Sequence, residues 1–332
     1  METIKLGIIG AGNVVREYHL PDFLKVKDVK IEALCDVDIK KAKKLVKLYK
    51  LNTTKVFSDY KNLIELDLDA VSIATPNYLH CKMAIDALNS GKDVLVEKPM
   101  AISMREADRM ISTSQKNKRI LMVNQKSRFT PETEAIRKII RDGTLGNILN
   151  IGMVTSHKGP NAKWFFQKKY SGGGCTIDLG IHAVDSIRYT VNTEAKEVVC
   201  FAFTMRKNID VEDNSFLIIK FNDNTFATVE SSWCRNPGEY SIIINCEKGS
   251  LRIGPYTGYK IIMGRNKSRM SRVLNIPAKS KYGNLYEYFI KCIRTREKPI
   301  TSGEVVQKSL EIVLAAIKSA RTGKIIRLPT GR

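Results

Sequence analysis

The first 125 residues alternate short apolar runs with segments of helical periodicity. Leu79–Ser90 is one such helical segment, since its apolar residues recur at helical spacing and Gly91 follows its end. Buried strands are predicted at Ile4–Ile9, Lys30–Cys35, Ala70–Ala74, Val94–Glu97 and Ile120–Asn124. Repeated strand–helix–strand units of this length predict a parallel sheet covered by helices on both faces.

After Pro131 the pattern changes to a succession of strands. Helices are predicted only at Pro131–Asp142, Leu285–Thr295 and Glu304–Thr322. The predicted strands are Ile148–Thr155, Glu197–Met205, Ser215–Phe221, Thr225–Ser232, Tyr240–Asn245 and Lys260–Met263. Many strands with few crossover helices favour a large sheet, mostly antiparallel or mixed. We therefore predict an α/β protein of two domains, residues 1–125 and 126–332.

Length and composition agree with a folded protein of this kind. The chain has 332 residues, which at about 150 residues per domain corresponds to roughly two domains. Its 43% hydrophobic residues exclude disorder as the main state. The apolar runs are shorter than a membrane span of about 20 residues, and Glu2 stands where a signal peptide carries basic residues. We expect a soluble cytoplasmic protein with no membrane partner.

Lysine and arginine outnumber aspartate and glutamate by 55 to 34, a formal net charge of +21. Such an excess fits a solvated lysine-rich surface, an anionic substrate or nucleic acid. The lysines are scattered along the chain except for one cluster on a helical segment: Lys40, Lys41, Lys43, Lys44 and Lys47. No basic segment is interleaved with aromatic residues, so the distribution favours a solvated surface, and no nucleic-acid partner is predicted.

The seven cysteines are widely spaced and include no C-x-x-C pair. This argues against a disulfide framework and against a zinc site. No metal is predicted, and the cysteines fit the reducing cytoplasm.

A glycine turn follows the first strand and opens a helical pattern, which is the context of a dinucleotide-binding fingerprint. Gly10 permits the tight turn, Gly12 lets the backbone approach a pyrophosphate, and Asn13 and Val14 begin a helix whose free N–H groups attract phosphate. The third fingerprint position is usually Gly or Ala, but here it is Val15.

Asp36 ends the second strand, where a carboxylate accepts hydrogen bonds from the adenosine ribose hydroxyls. A carboxylate repels a 2′-phosphate, so NAD is favoured over NADP as cofactor. Lys40 and Lys41 lie close enough in the sequence to keep NADP open. The alternative interpretation of the turn is a plain tight turn with a surface aspartate.

Five ordered motifs along the whole chain resemble those of the glucose–fructose oxidoreductase and inositol dehydrogenase family, Gfo/Idh/MocA. They are Thr75-Pro76-Asn77-Tyr78-Leu79-His80; Glu97-Lys98-Pro99; Arg128-Phe129-Thr130-Pro131; Ser171-Gly172-Gly173-Gly174-Cys175-Thr176-Ile177-Asp178-Leu179-Gly180-Ile181-His182; and a tail with Lys298-Pro299-Ile300 and Ser319-Ala320-Arg321-Thr322-Gly323.

The resemblance implies an NAD(P)-dependent oxidoreductase of sugars, polyols or their derivatives. It implies an N-terminal Rossmann domain, a doubly wound parallel sheet, and a C-terminal α/β domain with a large open sheet. That sheet commonly forms an oligomer interface in the family, so we expect a homo-oligomer, a dimer or tetramer. Lys98, Asp178 and His182 match the usual catalytic positions. The cofactor positions implied by the first two motifs are Thr75, Asn77, His80, Glu97 and Lys98.

In the oxidation of a secondary alcohol, Lys98, Asp178 and His182 would each have a different role. His182 can take the hydroxyl proton near neutral pH. Asp178 lies four residues earlier, so on a helix it shares the face of His182 and can orient the imidazole or bind a substrate hydroxyl. Lys98 can polarise the substrate oxygen. The alternative interpretations are that Lys98 is an ordinary loop lysine, that Asp178 caps the N-terminus of a helix, and that His182 is a core histidine.

Other candidate residues keep two interpretations each. Besides Lys98, Asp178 and His182, we name Arg128 and Trp164 as substrate-binding. Arg128 binds substrate or pairs with an acid, and Trp164 stacks on a sugar ring or packs against neighbouring aromatics. His80 lines the cofactor crevice or is structural, and His157 lies in an irregular segment suited to a pocket wall.

The leading hypothesis is hydride transfer between NAD and a secondary alcohol of a sugar, an inositol-like polyol or a sugar derivative. One alternative is a dehydrogenase of an anionic nucleotide sugar or sugar phosphate, which the positive charge would attract. Another is a non-catalytic NAD-binding regulatory protein.

Overall fold

The computed structural model describes residues 2–265 and 271–330. The chain divides into two compact units. The first comprises residues up to Asn124 together with Tyr282–Gln307, and the second comprises Gln125–Lys281 together with the chain from Lys308 onward.

A six-stranded sheet forms the centre of the first unit. Its strands are β1 (Ile4–Ile9), β2 (Val29–Cys35), β3 (Lys55–Phe57), β4 (Ala70–Ile73), β5 (Asp93–Val96) and β6 (Leu121–Val123). They lie in the order β3-β2-β1-β4-β5-β6, and every pairing is parallel. This is the strand order of the doubly wound dinucleotide-binding fold, so the predicted Rossmann architecture is confirmed.

Helices connect these strands. They are α1 (Leu20–Phe23), α2 (Ile39–Leu48), α3 (Tyr60–Ile64), α4 (Asn77–Asn89) and α5 (Met104–Lys116), with a π-helical turn at Val15–His19 before α1. Side-chain caps define several starts, such as Ser103, whose hydroxyl accepts from the Glu106 N–H. All four residues of β4 and of β5 are buried, as expected for strands covered on both faces.

The returning segment Tyr282–Gln307 also belongs to this unit. It contains α10 (Leu285–Thr295) and the start of α11 (Gly303–Thr322). The Val123 N–H donates to the Thr301 carbonyl at 2.9 Å, and Met122 forms a single antiparallel bridge with Ser302. The segment is thereby attached to the edge strand β6.

A nine-stranded sheet dominates the second unit. Its strands are β7 (Ile148–Ser156), β8 (Ala195–Phe203), β9 (Asn214–Phe221), β10 (Phe226–Ser232), β11 (Glu239–Cys246), β12 (Gly249–Ile253), β13 (Ile262–Arg265), β14 (Ser271–Val273) and β15 (Ile326–Arg327). The order is β14-β13-β12-β11-β7-β10-β9-β8-β15, and among the described pairings only β7–β10 is parallel. The predicted large, mostly antiparallel sheet is confirmed.

The helices of this unit pack on one face of that sheet. They are α6 (Pro131–Arg141), α7 (Lys168–Ser171), α8 (Cys175–Asp178), α9 (Gly180–Val191) and the body of α11, with short 3₁₀ turns at Lys126–Phe129, Lys163–Phe166 and Pro255–Thr257. Alternate residues of β9 are buried, and the residues between them are exposed. The exposed residues on the opposite sheet face include the large apolar side chains of Phe201, Phe203, Phe216 and Ile218, together with polar ones such as Lys220.

One prediction about local geometry needs correction. Asp178 and His182 do not share one helix, because α8 ends at Asp178 and α9 begins at Gly180. Leu179 lies between the two helices with φ −94° and ψ −44°, in the right-handed helical region, and belongs to neither helix.

None of the helices formed by the described residues is long and apolar enough to cross a membrane.

Candidate active site

The glycine turn after β1 is dictated by close backbone contact. Gly10 has φ +108°, and a Cβ at this position would lie 2.2 Å from the Ala74 carbonyl oxygen, so only glycine fits. Around Gly12, in contrast, a Cβ would meet no atom within 4 Å. The turn therefore leaves open space over Gly12, where a ligand can approach the backbone. Val15, the unusual third position, is completely buried and starts the π-helical turn.

Asp36 connects the ends of β1 and β2. One carboxylate oxygen accepts from the Ala11 N–H at 2.7 Å, and the other accepts from the Asp38 N–H at 2.9 Å. Each carboxylate oxygen can accept a further bond, so the side chain retains capacity for a ribose hydroxyl. The open space over Gly12 and the acid at the end of β2 fit the requirements of a dinucleotide.

His80 braces two loops of the first unit. Its Nδ1 lies 2.8 Å from the Pro99 carbonyl oxygen, and its Nε2 lies 2.9 Å from the Thr75 carbonyl oxygen. The ring is completely buried, and burial lowers its pKa although both carbonyl groups act to raise it. Since protein atoms occupy both ring nitrogens, this geometry gives His80 a structural role and removes its ring from direct contact with a cofactor. Asn77, at the start of α4, is also buried.

Glu97 is the centre of a buried polar network beside Lys98. One carboxylate oxygen contacts His19 Nε2 at 2.9 Å and accepts from the Asn124 side-chain amide at 2.7 Å. The other accepts from the Lys98 N–H at 3.1 Å, and His19 Nδ1 lies 2.9 Å from the Ser72 hydroxyl. Burial acts to raise the pKa of Glu97, but the hydrogen bond and charge of His19, with Lys98 nearby, outweigh it and lower the pKa.

This network positions the backbone of Lys98, which directly follows β5. The Lys98–Pro99 peptide bond is cis, and the Lys98 side chain is half-buried. The contact of His19 with this segment was not predicted from the sequence. His19 lies 78 residues from Glu97, and no local pattern signals such a pair.

In the second unit, the glycine run fixes the position of Asp178. A Cβ at Gly174 would lie 1.7 Å from the Glu212 carbonyl oxygen, so this residue must be glycine. The Glu212 carboxylate accepts from the N–H groups of Gly174 at 3.0 Å and Thr176 at 3.3 Å. These contacts hold the start of the short helix that ends at Asp178.

Asp178 itself is buried and hydrogen-bonded. Its Oδ2 accepts from the indole N–H of Trp233 at 3.0 Å, and the same oxygen lies 3.9 Å from Nε2 of His157. Trp233 is completely buried, and His157 is 42% exposed. Neither residue is predicted as a partner of Asp178 by a sequence pattern, because both are distant from it along the chain.

His182 lies on α9 and lines a cavity of about 490 Å³ within the second unit. Several hydroxyl groups of the wall are already satisfied by protein partners, among them Ser186, which donates to Ser127 at 3.0 Å. The lining residues are Lys126, Ser127, Thr130, Glu132, Thr133, Ile136, Thr155, Ser156, Leu179, His182, Ser186, Thr190, Glu239, Tyr240, Ile242, Ile253 and Tyr259. A cavity of this size beside a histidine is large enough to hold a small ligand.

Two predicted substrate residues, Arg128 and Trp164, make close contacts within the protein. The Arg128 guanidinium binds both carboxylate oxygens of Asp185 at 2.7 Å, and both side chains are buried. The Ser309 hydroxyl completes this pair by donating to Asp185 at 2.8 Å. A buried bidentate pair favours the structural interpretation of Arg128 over a substrate contact.

Trp164 belongs to an aromatic cluster. Its ring stacks on that of Phe165 with centroids 3.8 Å apart, and Phe165 and Phe166 pack edge-on against Trp233. This arrangement favours packing over a role in stacking on a sugar ring. Among the described residues, no group of three or more His, Cys, Asp or Glu side chains is placed to hold a metal ion.

Comparison with known proteins identifies the family to which the chain belongs. Residues 4–125 match the model of an oxidoreductase family with an NAD-binding Rossmann fold, and residues 133–252 match the model of the GFO/IDH/MocA C-terminal domain. The chain is 27% identical to D-glucoside 3-dehydrogenase of Escherichia coli K12, covering 98% of this chain and 97% of that protein. It is 24% identical to myo-inositol 2-dehydrogenase of Thermotoga maritima, covering 98% of both chains.

The fold is shared with solved structures. The crystal structure of aldose-aldose oxidoreductase from Caulobacter crescentus superposes with a TM-score of 0.89 at 24% identity, covering 98% of this chain and 100% of that one. With both family models matched in order along one chain, the protein belongs to the GFO/IDH/MocA family of NAD-dependent oxidoreductases.

Proposed function

We propose that this protein oxidises a secondary alcohol of a sugar, a polyol or a sugar derivative with NAD, and catalyses the reverse reduction. The observation that carries the proposal is the 490 Å³ cavity beside His182, whose walls present hydroxyl, amine, carboxylate and apolar groups together. Relatives that match over nearly the whole chain act on a glucoside and on an inositol, which supports the same substrate class here.

The cofactor is assigned to the first unit. Gly10, Gly12, Asn13 and Val14 would receive the pyrophosphate, and Asp36 would bind the ribose hydroxyls of NAD. Thr75, Glu97 and Lys98 belong to the loops that follow β4 and β5, and Asn77 begins α4; these are the strand ends at which such folds bind ligands. When bound, NAD supplies the hydride acceptor of the reaction.

The proposed catalytic roles follow from the chemistry of alcohol oxidation. His182 takes the hydroxyl proton, and in the reverse direction returns it. Lys98 polarises the substrate oxygen as charge develops on it. Asp178, held by the Trp233 indole, accepts a hydrogen bond from a substrate hydroxyl. The backbone of Lys98 is fixed by Glu97, so its side chain starts from a defined position.

A panel of sugars, polyols and nucleotide sugars with NAD or NADP, followed by absorbance of the reduced cofactor, tests the reaction. We expect one sugar or polyol class to reduce NAD. The Lys98→Met variant should lose at least about 100-fold in turnover yet retain NAD binding, because the lysine acts on the transition state. The exposed lysine variant Lys61→Met is the matched control.

Unchanged turnover in Lys98→Met would overturn the catalytic assignment. If no member of the panel reduces either cofactor, the proposed substrate class is wrong.

The proposal includes a homo-oligomer, a dimer or tetramer, in the cytoplasm. Its support is the apolar outer face of the nine-stranded sheet, where Phe201 is 71% exposed and Phe203 is 57% exposed in the single chain. Contiguous apolar surface of this kind marks a protein–protein interface. Imaging of the tagged protein tests the location, and size-exclusion chromatography with light scattering tests the oligomeric state.

A further inference from the structure

The cavity beside His182 extends along one helix of the second unit. His182, Ser186 and Thr190 line it from α9, and their spacing of four residues places them on one face of that helix. Eight residues of α-helix span about 12 Å. The cavity therefore reaches from the proposed catalytic histidine to the last turn of α9.

The end of the cavity away from His182 is bordered by α6. The Arg137 side chain donates to the Tyr189 carbonyl at 3.1 Å, which places this part of α6 beside the last turn of α9. Ile136, the preceding residue of α6, is buried and lines the cavity. An apolar side chain thus stands where the wall is most distant from the histidine.

The sheet contributes further apolar side chains to the same cavity. Ile242 of β11 and Ile253 of β12 are directly paired, and both are buried. Tyr240 lies two residues before Ile242, on the same face of β11, and Tyr259 follows the 3₁₀ turn after β12. We call these five lining residues the apolar compartment: Ile136, Tyr240, Ile242, Ile253 and Tyr259.

The hydroxyl groups of the cavity wall add little polarity, because each already has a partner within the protein. Thr190 donates to the Ser186 carbonyl at 2.8 Å, and the hydroxyl oxygens of Thr130 and Thr133 are 3.0 Å apart. The other serine and threonine hydroxyls of the wall are likewise hydrogen-bonded: Ser127, Thr155, Ser156 and Ser186. A ligand hydroxyl placed against the apolar compartment would lose its bonds to water without full replacement.

The charged and titratable groups of the wall complete the picture. Lys126, Glu132 and His182 supply an amine, a carboxylate and an imidazole, whereas Glu239 is engaged by Arg235 at 2.8 Å. One cavity therefore combines groups that bind sugar hydroxyls with a compartment that excludes them. Its ligand should be polar in one part and apolar in another.

The size of the cavity admits such a ligand. A cavity of about 150 Å³ is sufficient for benzene, so a volume near 490 Å³ can hold two rings of that size. The tyrosine rings of the compartment favour an aromatic partner, since aromatic pairs gain energy beyond the burial of their area.

We propose that the apolar compartment receives an apolar aglycone with an aromatic ring, and that the substrate of this protein is an aryl glycoside. This inference rests on the proposed function and narrows its substrate class. The sugar part is oxidised beside His182, and the aglycone is bound by Ile136, Ile242, Ile253 and the two tyrosines.

The test compares phenyl β-D-glucoside with methyl β-D-glucoside, which differ only in the aglycone. We expect kcat/KM of the wild type to be about tenfold or more higher for the phenyl glucoside, because its ring buries additional apolar area. The gain should come from a lower KM at similar kcat, since the compartment holds the aglycone equally in the ground state and the transition state.

Tyr259→Asn removes one ring from the compartment and should reduce this phenyl-to-methyl ratio by about threefold or more. Asparagine tolerates the backbone conformation of Tyr259, which has φ +59°. Tyr256→Asn is the matched control, because Tyr256 lies in the same turn, is fully exposed and does not line the cavity. It should keep the wild-type ratio, and thermal melting verifies that both variants are folded.

A phenyl-to-methyl ratio close to one in the wild type would overturn the aglycone compartment and leave the dehydrogenase intact. Calorimetric titration with the same two glucosides needs no turnover, so it decides the compartment even if no sugar is oxidised and the proposed function fails. Tighter binding of the phenyl glucoside that Tyr259→Asn weakens supports the compartment, whereas equal binding of the two glucosides overturns it.

Discussion

At the scale of single residues, Asp36 decides between the two nicotinamide cofactors. Its carboxylate already accepts from Ala11 and Asp38, so its orientation is fixed before any ribose arrives. We expect Asp36→Ser to lower kcat/KM for NAD by about 10- to 100-fold, since it removes charged hydrogen bonds to the ribose, and to raise the relative use of NADP. Steady-state kinetics with both cofactors measures this.

The neighbouring Asp38→Asn variant is the control, because Asp38 is exposed and its capping oxygen is retained. A wild-type preference for NADP, or a cofactor ratio that Asp36→Ser leaves unaltered, would contradict this role of Asp36.

The burial of His80 should make the free energy of unfolding depend on pH. Burial lowers its pKa from the usual 6.5, so below that pH the unfolded chain binds a proton that the folded protein does not. The free energy of unfolding should therefore fall as the pH falls below 6.5, and His80→Gln should make this slope shallower. Urea unfolding between pH 8 and pH 5 measures both slopes; equal slopes would show that folding does not lower the pKa of His80.

At the scale of elements, Gly10 and Gly12 have different functions in the turn between β1 and the following helix. Gly10→Ala places a Cβ 2.2 Å from the Ala74 carbonyl oxygen at a positive φ, so it should destabilise the protein by about 2 kcal/mol or more. Gly12→Ala meets no protein atom and should change stability by less than about 0.5 kcal/mol. Its added methyl group, however, enters the space assigned to the pyrophosphate.

We therefore expect Gly12→Ala to weaken NADH binding by about tenfold or more while it unfolds at the same urea concentration as the wild type. Titration of NADH fluorescence and urea unfolding provide the two measurements. Wild-type NADH affinity in Gly12→Ala would show that the pyrophosphate does not approach this turn.

The helices and strands differ in how well they can be predicted from the sequence. The long periodic elements, such as β1 and α6, were predicted within a residue or two, because each carries its own pattern of apolar positions. The strands β3, β12 and β15 were not predicted, since they have two to five residues and little periodicity. Their pairing is decided by neighbouring strands in the sheet.

Contacts between distant residues account for most of what the sequence could not predict about the site. The glycine run predicted a special backbone, but the reason lies in Glu212, 38 residues beyond Gly174. Likewise, the indole that holds Asp178 comes from Trp233, 55 residues away. Motifs identify which residues to examine, whereas their partners depend on the tertiary fold. The catalytic and cofactor roles of these residues stay predictions.

At the scale of the whole molecule, the second unit has two very different sheet faces. One carries the helices and the cavity beside His182, and the other presents apolar side chains to solvent. Phe201 and Phe216 are directly paired across β8 and β9, and they are 71% and 43% exposed. Large exposed apolar side chains in register favour association with a second copy of the same sheet face.

We expect the wild type to elute as a homo-oligomer at micromolar concentration, measured by size-exclusion chromatography with light scattering. Phe201→Glu combined with Phe216→Glu should shift it to a smaller species, because association would then bury unpaired like charges directly opposite one another. Both side chains are exposed in the single chain, so the folded protomer should survive the change. Lys43→Glu, on the exposed face of α2, is the control and should keep the wild-type mass. A monomeric wild type would mean that this apolar face serves something other than self-association.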